Sequence, residues 1–491
     1  RREGGKTLPG RHIVEADVPV ARSEEALLPL HDRASCPDVA EPPVDPAAVA
    51  SRTPGIPRPD LTGRAVLALT VGIVIGAGIF RTPALAAGAA GSEAALLIAW
   101  AAGGLLSIVG ALCYAELASA YPNVGGDYHF LQRAYGGRIA FLYAWARMAV
   151  IQTGSIALLA FVFADYASSV APLGPHSAVV YAAAAVILLS GANWAGVKLG
   201  AGFQRWLTLV EVAGLVLVIV AGLLLAPAEA VSRPAAGGGS WGLMMVFVLL
   251  TYGGWSEAVY VSAEVKDSPR RMGTYMVAGL ALVTLLYLLV NLAFLRALGL
   301  GGLAASDAVA ADVMRLAMGQ AGAAVISLVV GIAALTSANA TVITGARSTC
   351  ALGRGFTQLG WLGRWHGERN TPGNAIIAQA AIALLLVAGG AFARDGFALA
   401  VEYTAPVFWF FLLLVGIALF VLRMREPGRD RPFRVPLYPA LPAIFCATSL
   451  YLRYSSIAYT GSGALIGIAV RAVGAALLAL LQPVTLEETW S

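Results

Sequence analysis

Charge is what this 491-residue chain has least of. Asp, Glu, Lys and Arg together make up 12% of it, against 58% hydrophobic residues. Soluble domains carry roughly 25% charged residues, so this composition, with a mean hydropathy of +0.75, excludes an ordinary soluble globular protein and implies an integral membrane protein. Lysine is nearly absent, at three residues against thirty arginines. The net charge of +5 is scattered through short loops between apolar runs, a distribution that leaves no basic patch for nucleic acid. Cysteine is scarce too. Cys36, Cys113, Cys350 and Cys446 show no CxxC spacing, and three of them fall in or beside apolar runs, which argues against a disulfide framework and against a zinc or other metal site. HExxH, Walker and GxSxG motifs are missing. The expectation is therefore a chain that is not an enzyme and carries no cofactor.

Residues 1–60 alternate Pro, Ala, Glu, Asp and Arg without period and read as a disordered cytoplasmic tail. They contain no apolar core of a cleavable signal. From Leu61 onward, about twelve apolar stretches of bilayer length follow. The expected spans are 62–88, 94–119, 138–168, 177–194, 200–225, 240–264, 272–297, 322–348, 373–391, 398–423, 437–458 and 462–481. Asp307 to Met318 reads as a short amphipathic helix on the membrane face. With the N-terminus placed in the cytoplasm, the inner loops and span ends carry sixteen Lys and Arg and the outer ones five. That bias puts both termini inside. The cell inner (plasma) membrane is the expected location, and Arg471 inside the last span is the one ill-fitting charge.

Two spans are interrupted. In the first, Ile75-Gly76-Ala77-Gly78-Ile79 precedes Arg81-Thr82-Pro83; in the sixth, Leu250-Thr251-Tyr252-Gly253-Gly254-Trp255-Ser256 contains a double glycine. Glycine lowers helical stability by about 1 kcal/mol and proline by about 3. Unpaired backbone survives at membrane depth only where it lines a protected cavity. Broken spans in matching halves are the pattern of a transporter's binding site. Being five spans apart, the breaks imply spans 1–5 and 6–10 as an inverted 5+5 repeat, residues 61–425, with peripheral spans 11–12 and a C-terminal tail in 426–491. Amides freed at Gly76 to Ile79 would attract an anion such as a carboxylate. Carbonyls from Leu250 to Gly253 would accept an ammonium group, with Tyr252 and Trp255 as pocket wall.

The stretch Gly72–Phe80 resembles the first-span signature of the amino acid–polyamine–organocation superfamily. Cys113–Pro122 with Gly125-Gly126-Asp127-Tyr128 looks like its signature after span 2. Tyr252-Gly253-Gly254-Trp255, with Glu264 and Pro269, is similar to the L-type amino acid transporter branch. The resemblance covers roughly 61 to 425. It implies an all-α, LeuT-like fold of about 12 transmembrane helices with broken helices 1 and 6, and transport of an amino acid substrate by alternating access. Leu250 and Thr251 stand where that branch usually has an aromatic gate and a small residue. Animal members pair with a glycoprotein through a cysteine in the loop between spans 3 and 4. Here that loop, Ala171 to His176, has none, so no disulfide-linked heavy subunit is expected.

Acids inside spans are functional by default. Glu257 matches a glutamate of arginine/agmatine and polyamine exchangers, and Glu211 stands where many sodium-independent relatives carry a lysine, beside the position of a sodium site. Ser337, with Thr336 and Asn339, is the span 8 candidate for ion contact. Glu211 is the favoured proton site and Glu257 divides between proton release and substrate recognition. Glu116 and Arg147, near the inner ends of spans 2 and 3, read as a structural ion pair in the lower bundle. The expected function is a secondary transporter, proton-coupled or an exchanger. The alternatives are a sodium symporter or a membrane amino acid sensor that does not transport.

Overall fold

The computed structural model describes residues 71–123, 125–196, 201–227, 239–257, 271–366, 371–393 and 395–459, apart from Ile73, together with Arg369 and a few positions between 469 and 478. The side chains of residues 201–208 and of Met272 are outside that description. So are the tail 1–60, Glu264, Pro269, Arg471 and most of the expected twelfth span. The described residues all fall in one compact unit, Pro57–Ser491.

These residues are mostly helical, with one isolated β-bridge (His366 to Thr371) and no strand among them. In chain order the helices are α1 (Thr82–Ala89), α2 (Glu93–Ala120), α3 (Asp127–Tyr135), α4 (Gly137–Val170), α5 (Ser177–Trp194) and α6 (Ala201–Val220). Then come α7 (Trp241–Thr251), α8 (Met272–Ala304), α9 (Val309–Arg354), α10 (Gly373–Gly390), α11 (Gly396–Arg425) and α12 (Ala440–Tyr459). Seven of them, α2, α4, α5, α8, α9, α10 and α11, are long and apolar enough to cross a membrane.

The ends of these helices follow local chemistry. Ser92 accepts from the Ala95 amide at 3.1 Å and caps α2, with Glu93 in the first turn. Asp395 caps α11 through the Ala398 amide. Capping satisfies amides that have no partner inside the helix. α8 and α9 each contain one glycine with positive φ, Gly299 (64°) and Gly319 (71°), so both helices are sharply broken there. The piece before Gly319 is the helix expected over Asp307 to Met318. It does not simply lie on the membrane face, because Val309, Ala310, Ala311, Val313 and Met314 are all buried against the protein. Elsewhere the outward sides carry large exposed aliphatics such as Leu105, Leu188, Leu224, Leu328 and Leu385, each more than 60% exposed. A surface of that kind is suited to lipid, not water.

Two helices contain π turns, Arg147–Gln152 within α4 and Ala221–Leu225 after α6. The first serves as a docking point. Its Ala149 carbonyl accepts from the Tyr403 hydroxyl of α11 at 2.6 Å and from Thr153 at 2.9 Å.

Candidate functional site

The first break lies where the glycines foretell it. The Ile75 amide makes the last helical bond, to the Val71 carbonyl at 2.8 Å. Gly76 is then extended (φ −102°, ψ 175°), Ala77–Phe80 form one 3-10 turn, and α1 starts at Thr82 with Pro83 in its first turn. Proline fits there because that position has no intrahelical use for an N–H. The amides of Ala77 and Gly78 make no hydrogen bond with any described residue. Ile75, Ala77 and Ile79 are buried, whereas Gly76 and Gly78 remain partly open.

The second break begins at the end of α7. Thr251 bonds its hydroxyl back to the Phe247 carbonyl at 2.9 Å. Tyr252 closes the helix, Gly254 takes φ +97°, and Trp255 and Ser256 start a 3-10 turn. A positive φ is open to glycine and costly for other residues. The Leu250 carbonyl is not free as the sequence suggested, since it accepts the Gly253 amide at 3.0 Å. The carbonyls of Thr251, Tyr252 and Gly253 accept nothing from the described residues.

The two breaks face each other. A Cβ placed on Gly78 would lie 3.8 Å from the Thr251 methyl group, with the Thr82 hydroxyl at 3.9 Å; one on Gly76 would meet nothing within 4 Å. α8 braces the pair from behind. The Tyr287 hydroxyl donates to the Val74 carbonyl at 2.8 Å. Its ring lies 5.0 Å from that of Tyr252, whose hydroxyl donates to the Trp100 carbonyl at 3.0 Å.

Tyr252 is thus fully buried in an aromatic core with Trp100 and Tyr287, which anchors the break. Trp255 is buried as well. It packs edge-on to Tyr114 at 5.1 Å and against Phe445, in a space left by Gly110.

The expected coupling residues separate. Glu211 is buried on α6, and its Oε1 has no hydrogen-bond partner among the described residues. Tyr287 is near enough to feel its charge. Glu257 is held at 3.1 Å by both carboxylate oxygens on Arg147 of α4, so its partner lies on another helix. Arg147 continues through the Tyr143 hydroxyl (3.1 Å) to Asp127 (3.0 Å). Glu116 takes other partners, Arg423 and Arg431 and the Val435 amide, so it and Arg147 belong to two distinct clusters. Ser337 is half-buried on α9, which packs against the first break. Thr336 bonds back to Ile332, and Asn339 accepts from Asn193 of α5 at 2.6 Å. Both are therefore committed elsewhere.

Other residues emerge only from the structure. Arg81, directly after the first break, is 5% exposed. It reaches Asp165 of α4 (3.1 Å), Asp307 (3.1 Å), Asp395 (2.6 Å) and the Ser306 carbonyl (2.9 Å). One guanidinium thus ties three chain segments to α1. Glu402, inside α11 and half-buried, is a further acid within a span. The rule that intramembrane charges are functional would have singled out both from sequence. Tyr287 carries no such signal, because a tyrosine in a span reads as ordinary packing. Groups of three or more His, Cys, Asp or Glu suited to a metal ion are absent among the described residues.

Residues 61–470 match the family model described as amino acid permease. The chain is 30% identical over 402 residues to the mouse b(0,+)-type amino acid transporter 1, covering 80% of this chain and 81% of that one. It is 26% identical over 402 residues to the serine/threonine exchanger SteT of Bacillus subtilis, covering 80% and 89%. With the mouse large neutral amino acids transporter small subunit 2 it shares 28% over 396 residues, covering 77% and 73%.

Proposed function

The chain belongs to the amino acid permease family, and from that premise we propose that it is a multi-pass secondary active transporter of amino acids working by alternating access. The observation that carries this reading is the approach of Gly78 to Thr251, which sets two interrupted segments side by side. The Ala77 and Gly78 amides stand at the start of a helical turn, where the positive end of the peptide dipoles favours a carboxylate. The Thr251, Tyr252 and Gly253 carbonyls are suited to an ammonium group. Together they recognise the α-amino acid frame through backbone and leave the side chain to Ile75, Ile79, Leu250 and Ser256 around them. Tyr252 and Trp255 act as supports behind the break.

Glu211 is the group proposed to exchange protons, since it is buried near Tyr287 and its Oε1 has no hydrogen-bond partner among the described residues. Obligate exchange is the second reading, favoured by the serine/threonine exchanger among the relatives. Glu257, paired with Arg147, is given a positioning role for the inner part of the sixth segment. The inverted 5+5 arrangement, cytoplasmic termini and residence in the inner membrane complete the proposal, as does action without a disulfide-linked subunit. Uptake of labelled amino acids into proteoliposomes tests it. Accumulation driven by a pH gradient supports proton coupling, and uptake only into vesicles preloaded with amino acid supports exchange. Measurable binding without flux under either condition would leave a sensor, and flux dependent on sodium would replace the proton reading.

A further inference from the structure

A small cavity lies between α2, the turn after α7, α11 and α12. Ser107, Gly253, Trp255, Ser256, Trp409 and Ser449 are among the residues that line it. It has room of about 20 Å³ for the centres of water-sized guests. Three polar atoms of its lining residues, Ser107 Oγ, Trp409 Nε1 and Ser449 Oγ, have no hydrogen-bond partner among the described residues. Those residues are 2%, 3% and 0% exposed.

Ser107 and Ser449 share with Ser168, Ser190, Thr349 and Ser455 a buried hydroxyl that has no partner among the described residues. A hydroxyl in a membrane helix ordinarily bonds the carbonyl one turn back. Thr153, Ser155, Thr251, Thr284, Thr404 and Ser456 all do so here. Ser107 and Ser449 forgo that bond. An indole N–H can only donate, whereas each hydroxyl can donate and accept. Gly253, Trp255 and Ser256 of the second break also line the cavity. A cavity of more than roughly 10–15 Å³ with two to four polar partners is one that holds an ordered water.

We propose that this cavity is a hydration site for one water molecule, and that the water is a working part of the second break. It accepts from Trp409 Nε1 and one serine hydroxyl, and donates to the other hydroxyl. A water is a partner that can be exchanged. Trp255 and Ser256 can therefore shift against α2, α11 and α12 without stranding polar groups in an apolar interior. That second clause rests on the transport reading; the water itself does not.

The test has two arms. An experimental structure of the wild-type protein in lipid nanodiscs, at a resolution that places waters, is expected to have a peak within hydrogen-bond distance of all three side-chain atoms. A dry cavity, or an acyl chain in it, overturns the hydration site. In proteoliposomes, Ser107→Ala with Ser449→Ala is expected to slow uptake about fivefold, the scale of one or two lost hydrogen bonds, with substrate affinity unchanged. Uptake at the wild-type rate overturns the water's working role. Failure of the wild-type protein itself to transport counts against the transport reading alone, and the density then decides the site.

Discussion

The Tyr287 hydroxyl donates to the Val74 carbonyl at 2.8 Å, one residue before the helix bends into the first break. The same ring sits 5.0 Å from Tyr252, at the edge of the second. One residue of α8 therefore touches both interruptions, and Glu211 lies within electrostatic reach of it. Tyr287→Phe removes the hydroxyl but keeps the ring. The loss of a single buried bond, about 1 kcal/mol, should leave the protein folded, while uptake falls about tenfold because Val74 loses its partner. Uptake equal to wild type would mean the two breaks are held independently of α8.

Glu211 and Glu257 should respond differently to neutralisation. Glu257 is committed to Arg147 on a neighbouring helix, so Glu257→Gln leaves a nearly buried guanidinium without its charged partner. Breaking such a pair costs about 3–5 kcal/mol when it is well buried. Glu257 is 41% exposed on its side chain, so a smaller loss of thermal stability is expected, with the pH profile of the remaining uptake unaltered. Glu211→Gln should keep stability and flatten the dependence of uptake on an imposed pH gradient. Uptake against pH in both variants checks this, and the reverse assignment of effects would exchange their roles.

Much of this was legible in the chain. Gly76 and Gly78 before Pro83, and Gly253-Gly254 inside an apolar run, announced both breaks because backbone conformation is a local property. The span at 177–194 coincides with α5, since its ends follow from composition alone. Side-chain pairing was less legible. Glu257 finds Arg147, 110 residues away, and Glu116 finds Arg423, 307 residues away. Nothing in the spacing selects those partners over each other. Tyr252 and Trp255 adjoin the glycines, and that adjacency alone makes them candidate pocket wall in the sequence. Their orientation depends instead on Trp100, Gly110 and Phe445, which sit on distant helices.

Asp127 supplies a pH prediction from outside the spans. It is buried on α3, which pushes its carboxyl group up to about 6 despite Arg147 nearby, with Glu257 adding to the rise. A carboxyl group raised in the folded state lowers stability once it ionises there. The cost is fully present above about pH 6 and absent below the ordinary aspartate value of about 4. Asp127→Asn should therefore match wild type in melting temperature near pH 4 in detergent. The variant should become progressively more stable than wild type as pH rises to 6, by on the order of 3 kcal/mol at the upper limit. A gap that does not change with pH would mean that Asp127 stays ionised throughout.

The central claim is that an amino acid is held between the backbone at Gly78 and the backbone at Thr251. A side chain at Gly78 has room, since its Cβ would make only ordinary contacts at 3.8 and 3.9 Å, but a branched one would occupy the approach to the Ala77 and Gly78 amides. The decisive measurement is uptake of labelled amino acids by Gly78→Val in proteoliposomes, beside wild type at matched thermal stability. The account predicts normal folding with uptake reduced at least a hundredfold, the scale of about 3 kcal/mol of lost substrate contact. Uptake with wild-type kinetics would contradict it and move the site away from the breaks.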